Sequence, residues 1–384
     1  TRYDTDPSYD YDADVMYPFG DGLSYTTFSK KIMAIHEEDG IITVRVEVKN
    51  TGDVAGKDVI QIYYNPPYTG AIEKSTVNLV AIKKTNMIAP GNTEYYSIEF
   101  NVEDMASYDE NVNKAYVLEQ GNYEIMLCEN AHDKIDSEIW TLDQDIIYNE
   151  ENDGKRESDY QVATNQFDDD LDGYDDFLTR GWDPDSRAFT GPKDEDFIPS
   201  EEILNIINNG HYIPTDVELG LTEADMPAIG VTLEKTIMLS DMVGVDYNDP
   251  KWDEFVSQMT LEEMCNLSGN AGNHFEELER LGIPRSYNPG APAGIGTTVY
   301  TGAAMGFEGN GITYPCAMVL AATWNEELAY LMGTSVANEA QAIGFTGWGA
   351  PAVNIHRTAF NGRNFGYYSE DGVLSGLIAR NVVR

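Results

Sequence analysis

The densest set of ligand-type side chains in the chain is the run Asp168, Asp170, Asp172 and Gly173, which matches the D-x-D-x-D-G opening of a calcium loop. The twelfth position is Thr179, where such a loop needs a bidentate Glu, so the run reads as an acidic, partly ordered connector. Cys128, Cys265 and Cys316 stand far apart with no C-x-x-C, so no zinc spacing can be built from them, and reduced structural thiols are the expectation. His356 has no further ligand at useful spacing and reads as a loop residue or as a support behind the site. Asn354-Ile355-His356-Arg357 and Asn361-Gly362-Arg363-Asn364 each carry an arginine. A guanidinium presents several donors in a fixed fork, suited to paired oxygen acceptors, a structural ion pair among them.

The elements that must hold these arginines are legible upstream. GAPAVNI, just before them, reads as a compact buried strand, which would put both at the C-terminal mouth where barrel sites form. From Pro250 onward helices alternate with short apolar runs. In WDEFVSQM, Trp252, Phe255, Val256 and Met259 share one helical face. Thr260-Leu261-Glu262-Glu263 and Thr323-Trp324-Asn325-Glu326 are capping-box patterns, the second opening a helix that stops at Gly344. This alternation predicts parallel β/α units. Only about three units fit before Arg384, and a closed barrel takes about 250 residues, so residues 250–384 read as the N-terminal part of a (β/α) TIM-type barrel.

Earlier in the chain the period changes to two. Ile42, Val44, Val46 and Val48 alternate with Thr43, Arg45, Glu47 and Lys49; Asn50-Thr51-Gly52-Asp53 turns the chain, and VIQIYY alternates again. Residues 26–144 therefore predict an antiparallel β-sandwich of about seven strands. Residues 145–249 are an acidic connector with short helices, one of them capped by Ser200 and stopped by Gly210. Residues 1–25 contain YPFGDG, part of the segment YPFGDGLSYTTF: too rich in Gly and Pro for a helix, too aromatic for a flexible linker. This is an ordered connector packed by Tyr17, Phe19 and Tyr25, expected to follow a domain outside the chain.

The 384 residues carry 24 basic and 66 acidic side chains, a net charge of −42. That charge argues against nucleic acid and anionic membranes as partners. No apolar run approaches the roughly 20 residues of a membrane helix. The chain starts without an initiator Met or a signal segment, and the sequence leans toward a cytoplasmic or cell-associated bacterial setting without deciding it.

YPFGDGLSYTTF, KNTGDVAGKDVIQIYY, WDEFVSQMTLEEM, RLGIP and NIHRTAFNGRNFGYYSED together resemble glycoside hydrolase family three, in the domain-permuted bacterial arrangement that places the sandwich before the barrel. The resemblance implies a fibronectin-III-like sandwich followed by the start of the catalytic barrel. It implies a retaining hydrolase acting on β-glucosides or related oligosaccharides, with no cofactor and no metal. It makes Arg363 the sugar-binding arginine and Arg357 a nearby support. It also implies that the nucleophilic Asp, the acid/base and a Lys-His pair lie outside residues 1–384, in N-terminal and C-terminal parts of the same polypeptide. Two positions depart from the family pattern. Gly290 stands where an Asp grips sugar hydroxyls, and Gly366 stands where a Glu is usual. These departures keep a non-catalytic, sugar-binding or structural relative open as the alternative.

Overall fold

The computed structural model describes residues 10–152, 154–165, 180, 198–209, 215, 218–220, 222, 227–269, 274–288, 290, 292–295 and 311–384. The acidic run 168–179 and Gly210 lie outside the described residues. Two compact units are present: Thr1–Ala188 with Met318–Tyr330 and Val353–Arg384, and Phe189–Ala317 with Leu331–Ala352.

The first unit is dominated by antiparallel sheets. One sheet has the order β4-β3-β8-β9, built from β3 (Val59–Asn65), β4 (Asn78–Lys84), β8 (Gly121–Cys128) and β9 (Lys134–Leu142). A second has the order β1-β2-β5, from β1 (Phe28–Glu38), β2 (Ile41–Asn50) and β5 (Thr93–Asn101). A small third sheet joins β6 (Ser107–Asp109), β7 (Ala115–Leu118) and β10 (Ile146–Tyr148). Asp39 and Gly40 take positive φ values of 52° and 79°, the backbone a two-residue hairpin between β1 and β2 requires. Inward residues from both large sheets make one core: Ile42, Val44, Val46, Ile62, Ile125 and Leu127 are fully buried. The contacts of this module run past residue 144. Arg156 lies 3.6 Å over the Tyr116 ring and makes two 2.8 Å bonds to Asp159.

Strand β3 corrects the expected alternation, because its five central residues are all buried. The outer face of VIQIYY is covered by the PFG connector. Gln61 Nε2 donates to Gly20 O (2.9 Å) and Glu129 O (2.8 Å), and Tyr63 OH donates to Gln61 Oε1 (2.8 Å). Gly20 has φ +85°, and a Cβ there would stand 2.3 Å from Gln61 Oε1, so only glycine fits. The connector is therefore ordered, but Phe19 alone of the three aromatics packs: its ring sits 5.2 Å from that of Trp324, whereas Tyr17 and Tyr25 are exposed. The turn after β2 is ordered too. Asn50, fully buried, accepts from Thr26 Oγ1 and Gly52 N and donates to the carbonyls of Val54 and Ile88.

Helix α1 (Glu201–Asn209) begins where Ser200 Oγ accepts from Ile203 N, as its cap position predicts. In the second unit α2 (Lys251–Ser257) and α3 (Leu261–Gly269) follow. Phe255 and Met259 bury against Met242 and Leu281, while Val256 is 42% exposed and falls off the expected face. The box at Thr260 is complete: Thr260 N donates to Glu263 Oε2 (2.8 Å) and Glu263 N to Thr260 Oγ1 (3.3 Å). The second expected box is not made. Trp324 takes φ +50°, Thr323 Oγ1 turns back to Leu320 O, and Asn325 caps α5 (Glu326–Ile343) by accepting from Leu328 N. The turn ending α4 (Ala317–Ala321) thus shifts the cap by two residues. As expected, α5 stops at Gly344, φ +92°.

Arg280 pairs with Glu263, with one bond of 2.7 Å from Nε. This guanidinium, and then the Thr260 amide, draw the Glu263 carboxyl down to about 2. A depressed carboxyl stabilises the fold above the ordinary glutamate range and loses that contribution as pH falls toward 2. Glu263→Gln is expected to lower the thermal midpoint at pH 7 and to make no difference near pH 2. A gap that stays constant between those pH values would contradict the pairing. Thr260→Ala, at the same cap, is expected to cost about 1 kcal/mol.

GAPAVNI forms no strand: Ala352 makes a single β-bridge, the rest of residues 349–355 lie outside helix and sheet, and Val353 is 53% exposed. Pro351 carries no N–H for a ladder. Among the described residues every ladder is antiparallel and no closed barrel is present. Among them, too, no helix is long and apolar enough to cross a membrane.

Candidate functional site

The arginine loop runs from residue 354 to Asp371, which caps helix α6 (Gly372–Val383) by accepting from Leu374 N at 2.8 Å. Burial raises the Asp371 carboxyl above its ordinary range, while this amide bond opposes the shift. Its bond to the helix end makes it an anchor. The loop closes on itself. His356 N donates to Ser369 O (3.0 Å), and His356 Nε2 lies 3.1 Å from Tyr367 O. A carbonyl only accepts, so Nε2 carries the proton. His356 is thus a loop residue, as expected. Asn364 Nδ2 donates to Thr358 O (2.7 Å), and Asn361 Oδ1 accepts from Arg363 N (3.1 Å). Gly366, where the family has Glu, is buried in the single 3-10 turn Asn364–Gly366. Tyr368 is buried beneath, its phenol pushed up to about 12 by desolvation.

Arg357 and Arg363 are exposed, and neither guanidinium has a hydrogen-bond or ion-pair partner among the described residues. The expected alternative for Arg363, a structural ion pair, is therefore not made among them. The self-tied loop and the forks, uncommitted among the described residues, leave these donors available to a ligand. Arg357 also lines a cavity of about 390 Å³ with Phe19, Trp324, Asn364 and Glu370. Phe19 and Trp324 were not among the sequence candidates; the spacing of the connector gave no sign that Phe19 reaches this loop.

Arg357 and Arg363 lie in the first unit and Gly290 in the second. A Cβ built on Gly290 meets only Gly349 O, at 3.7 Å, which is ordinary contact. A Cβ meets no clash there among the described residues. Of the cysteines, Cys128 is buried and desolvation pushes its thiol up to about 12, Cys265 is exposed and Cys316 half-buried, all three free. No metal-ligand cluster occurs among the described residues.

Residues 272–384 match the Glycosyl hydrolase family 3 N terminal domain, and residues 58–131 match the Fibronectin type III-like domain. Residues 272–384 belong to glycosyl hydrolase family 3. The family segment thus follows the sandwich, and the fold class is a fibronectin-III-like module followed by a barrel-type domain. Beta-glucosidase A of Butyrivibrio fibrisolvens is 30% identical over 400 aligned residues, covering 96% of this chain and 45% of that protein. A beta-glucosidase of Ruminococcus albus is 27% identical, covering 95% of this chain and 36% of that protein. The crystal structure of a beta-glucosidase from Paenibacillus barengoltzii superposes with a TM-score of 0.64 at 25% identity, covering 97% of this chain and 39% of that one. The chain spans less than half the length of these family 3 relatives.

Proposed function

We propose that this family 3 chain is part of a retaining β-glucosidase and supplies a sugar-binding segment to it. The observation that carries this reading is the Butyrivibrio similarity, which runs through both modules in the same order along 96% of the chain. The exposed, unpaired guanidinium of Arg363 on a self-tied loop supports its role as a donor to sugar hydroxyls. Arg357, beside it, is a second donor or a support. Retaining hydrolysis needs a nucleophile and an acid/base about 5–5.5 Å apart. In this proposal both carboxyls come from parts of the polypeptide outside residues 1–384. Residues 1–384 alone are then expected to release no phenol from an aryl β-glucoside above background, while the complete polypeptide does. Turnover by the purified 384-residue chain in proportion to its concentration would defeat this assignment.

A second reading, a non-catalytic sugar-binding relative, is favoured by Gly290 and Gly366. Hydrolysis by the complete polypeptide separates the two, and Gly290→Asp tests whether this position faces the sugar. With room for a Cβ at this position, restoring a charge-assisted acceptor is expected to strengthen sugar binding by about 1.5–3 kcal/mol. Calorimetry with glucose checks it on the complete polypeptide. Unchanged affinity would mean that Gly290 does not face the sugar.

A further inference from the structure

We propose that the apolar strip of helix α1, in the acidic connector, is a docking face for the part of the same polypeptide that lies outside residues 1–384. This rests on the reading of the chain as part of a longer polypeptide. It makes no use of the arginine loop and so goes beyond the sugar-binding assignment.

Ile203, Ile206 and Ile207 stand at i, i+3 and i+4 on α1, with Leu204 at their border, so one face of Glu201–Asn209 is wholly aliphatic. Glu201, Glu202, Asn205, Asn208 and Asn209 take the other face. An aliphatic face of this kind normally turns inward, yet its four side chains are between 41% and 65% exposed. None of them belongs to the described core of the second unit, which gathers around Met242, Phe255, Met259 and Leu281. The helix has nine residues, fewer than the roughly 12–15 that are even marginally stable in water without packing. The Ser200 cap at its start contributes only about 1 kcal/mol. The strip therefore needs a cover.

Charge and area decide among three covers. A helix lying on a membrane carries Lys or Arg on its polar face, whereas this one carries Glu and Asn, in a chain of net charge −42. A second copy brings the same large negative charge and is repelled. The four half-exposed side chains also offer on the order of 400 Å², short of the ~800 Å² per partner that a standard interface takes. Within one polypeptide so small an area suffices, because a covalently linked partner is already at high effective concentration. More than half of each family 3 relative described above lies outside the part that this chain matches, which is the source of such a partner. Helix α1 stands outside both family-matched segments, 58–131 and 272–384, so docking is a role of the connector and of neither module. The surface that meets it is expected to be apolar, with a lysine or arginine opposite Glu202, which borders the strip beside Ile206.

The test uses the complete polypeptide with the photo-reactive p-benzoylphenylalanine in place of Ile207, and in a second preparation in place of Ile203. Heavy-isotope-labelled and unlabelled polypeptide are mixed before irradiation, and the cross-linked peptides are mapped by mass spectrometry. Links from α1 to peptides outside residues 1–384, within one copy, are the expected result. Links confined to residues 1–384, links that mix the two isotopes, or no protein link from either position would overturn the proposal. The double variant Ile203→Gln, Ile207→Gln supplies a second readout without a bulky probe. Gln forms helix at least as well as Ile, so a helix that stands by local propensity alone would be cleaved no faster. Loss of docking instead is expected to speed cleavage after Glu201 and Glu202 by a glutamate-specific protease about tenfold, while Asn208→Gln on the polar face stays within about twofold of the parent. Unchanged cleavage in the double variant would overturn the docking face. Hydrolysis of an aryl β-glucoside by the same polypeptide reads the functional assignment independently: the expected links without any hydrolysis would sink that assignment alone.

Discussion

Ile62→Ala will lower the unfolding free energy of the sandwich by about 2–5 kcal/mol, the cost of emptying a well-packed aliphatic site. Ile62 has no exposed surface and sits at the centre of β3, between β4 and β8 and inside the shared core. The sheet cannot collapse into the void there, because ladders run on both sides of the strand and the connector covers its other face. Against a typical domain stability of about 5–15 kcal/mol, this is enough to leave a large unfolded fraction on mild heating. Denaturant unfolding checks it: the midpoint should drop at unchanged slope. Ile139→Ala, at a 58% exposed position on β9, should shift stability by no more than about 0.5 kcal/mol. Equal effects at the two sites would contradict the assigned core.

Arg363→Ala will reduce kcat/KM of the complete polypeptide on an aryl β-glucoside by about 5- to 150-fold, the equivalent of about 1–3 kcal/mol of a charged hydrogen bond. Among the described residues the Arg363 guanidinium has no hydrogen-bond or ion-pair partner and the loop's ties run through His356, Asn361, Asn364 and Asp371, so the loss should come without a change in thermal midpoint. Arg363→Lys should recover little, since a point charge cannot reproduce the fork. A variant at parental activity would remove Arg363 from the sugar site.

The β-sandwich was largely legible because period-two burial is written directly into residues such as Ile42 to Val48. β3 was misread as alternating for a physical reason. Its second face is covered by a segment some 40 residues away, and no local pattern reports a distant cover. Separation along the chain likewise hid Phe19 and Trp324 from the arginine loop. Capping was read well where one box stands alone, at Thr260. It was misread at Thr323, where the end of a preceding helical turn sets Trp324 to a positive φ. The two arginines are singled out through the family motif and not through local physics, and their role in binding sugar is part of the proposal. GAPAVNI looked like a strand from its apolar content, yet a strand exists only where a neighbour takes its backbone groups, and Pro351 cannot donate.

The account rests on the chain belonging to a retaining β-glucosidase, and the first-formed anomer of the released glucose tests that most directly. Proton NMR of an aryl β-glucoside incubated with the complete polypeptide should show β-glucose appearing first, with α-glucose growing in only by mutarotation, because two displacements preserve configuration. α-Glucose as the initial product, or no glucose at all from a folded polypeptide, would contradict the account.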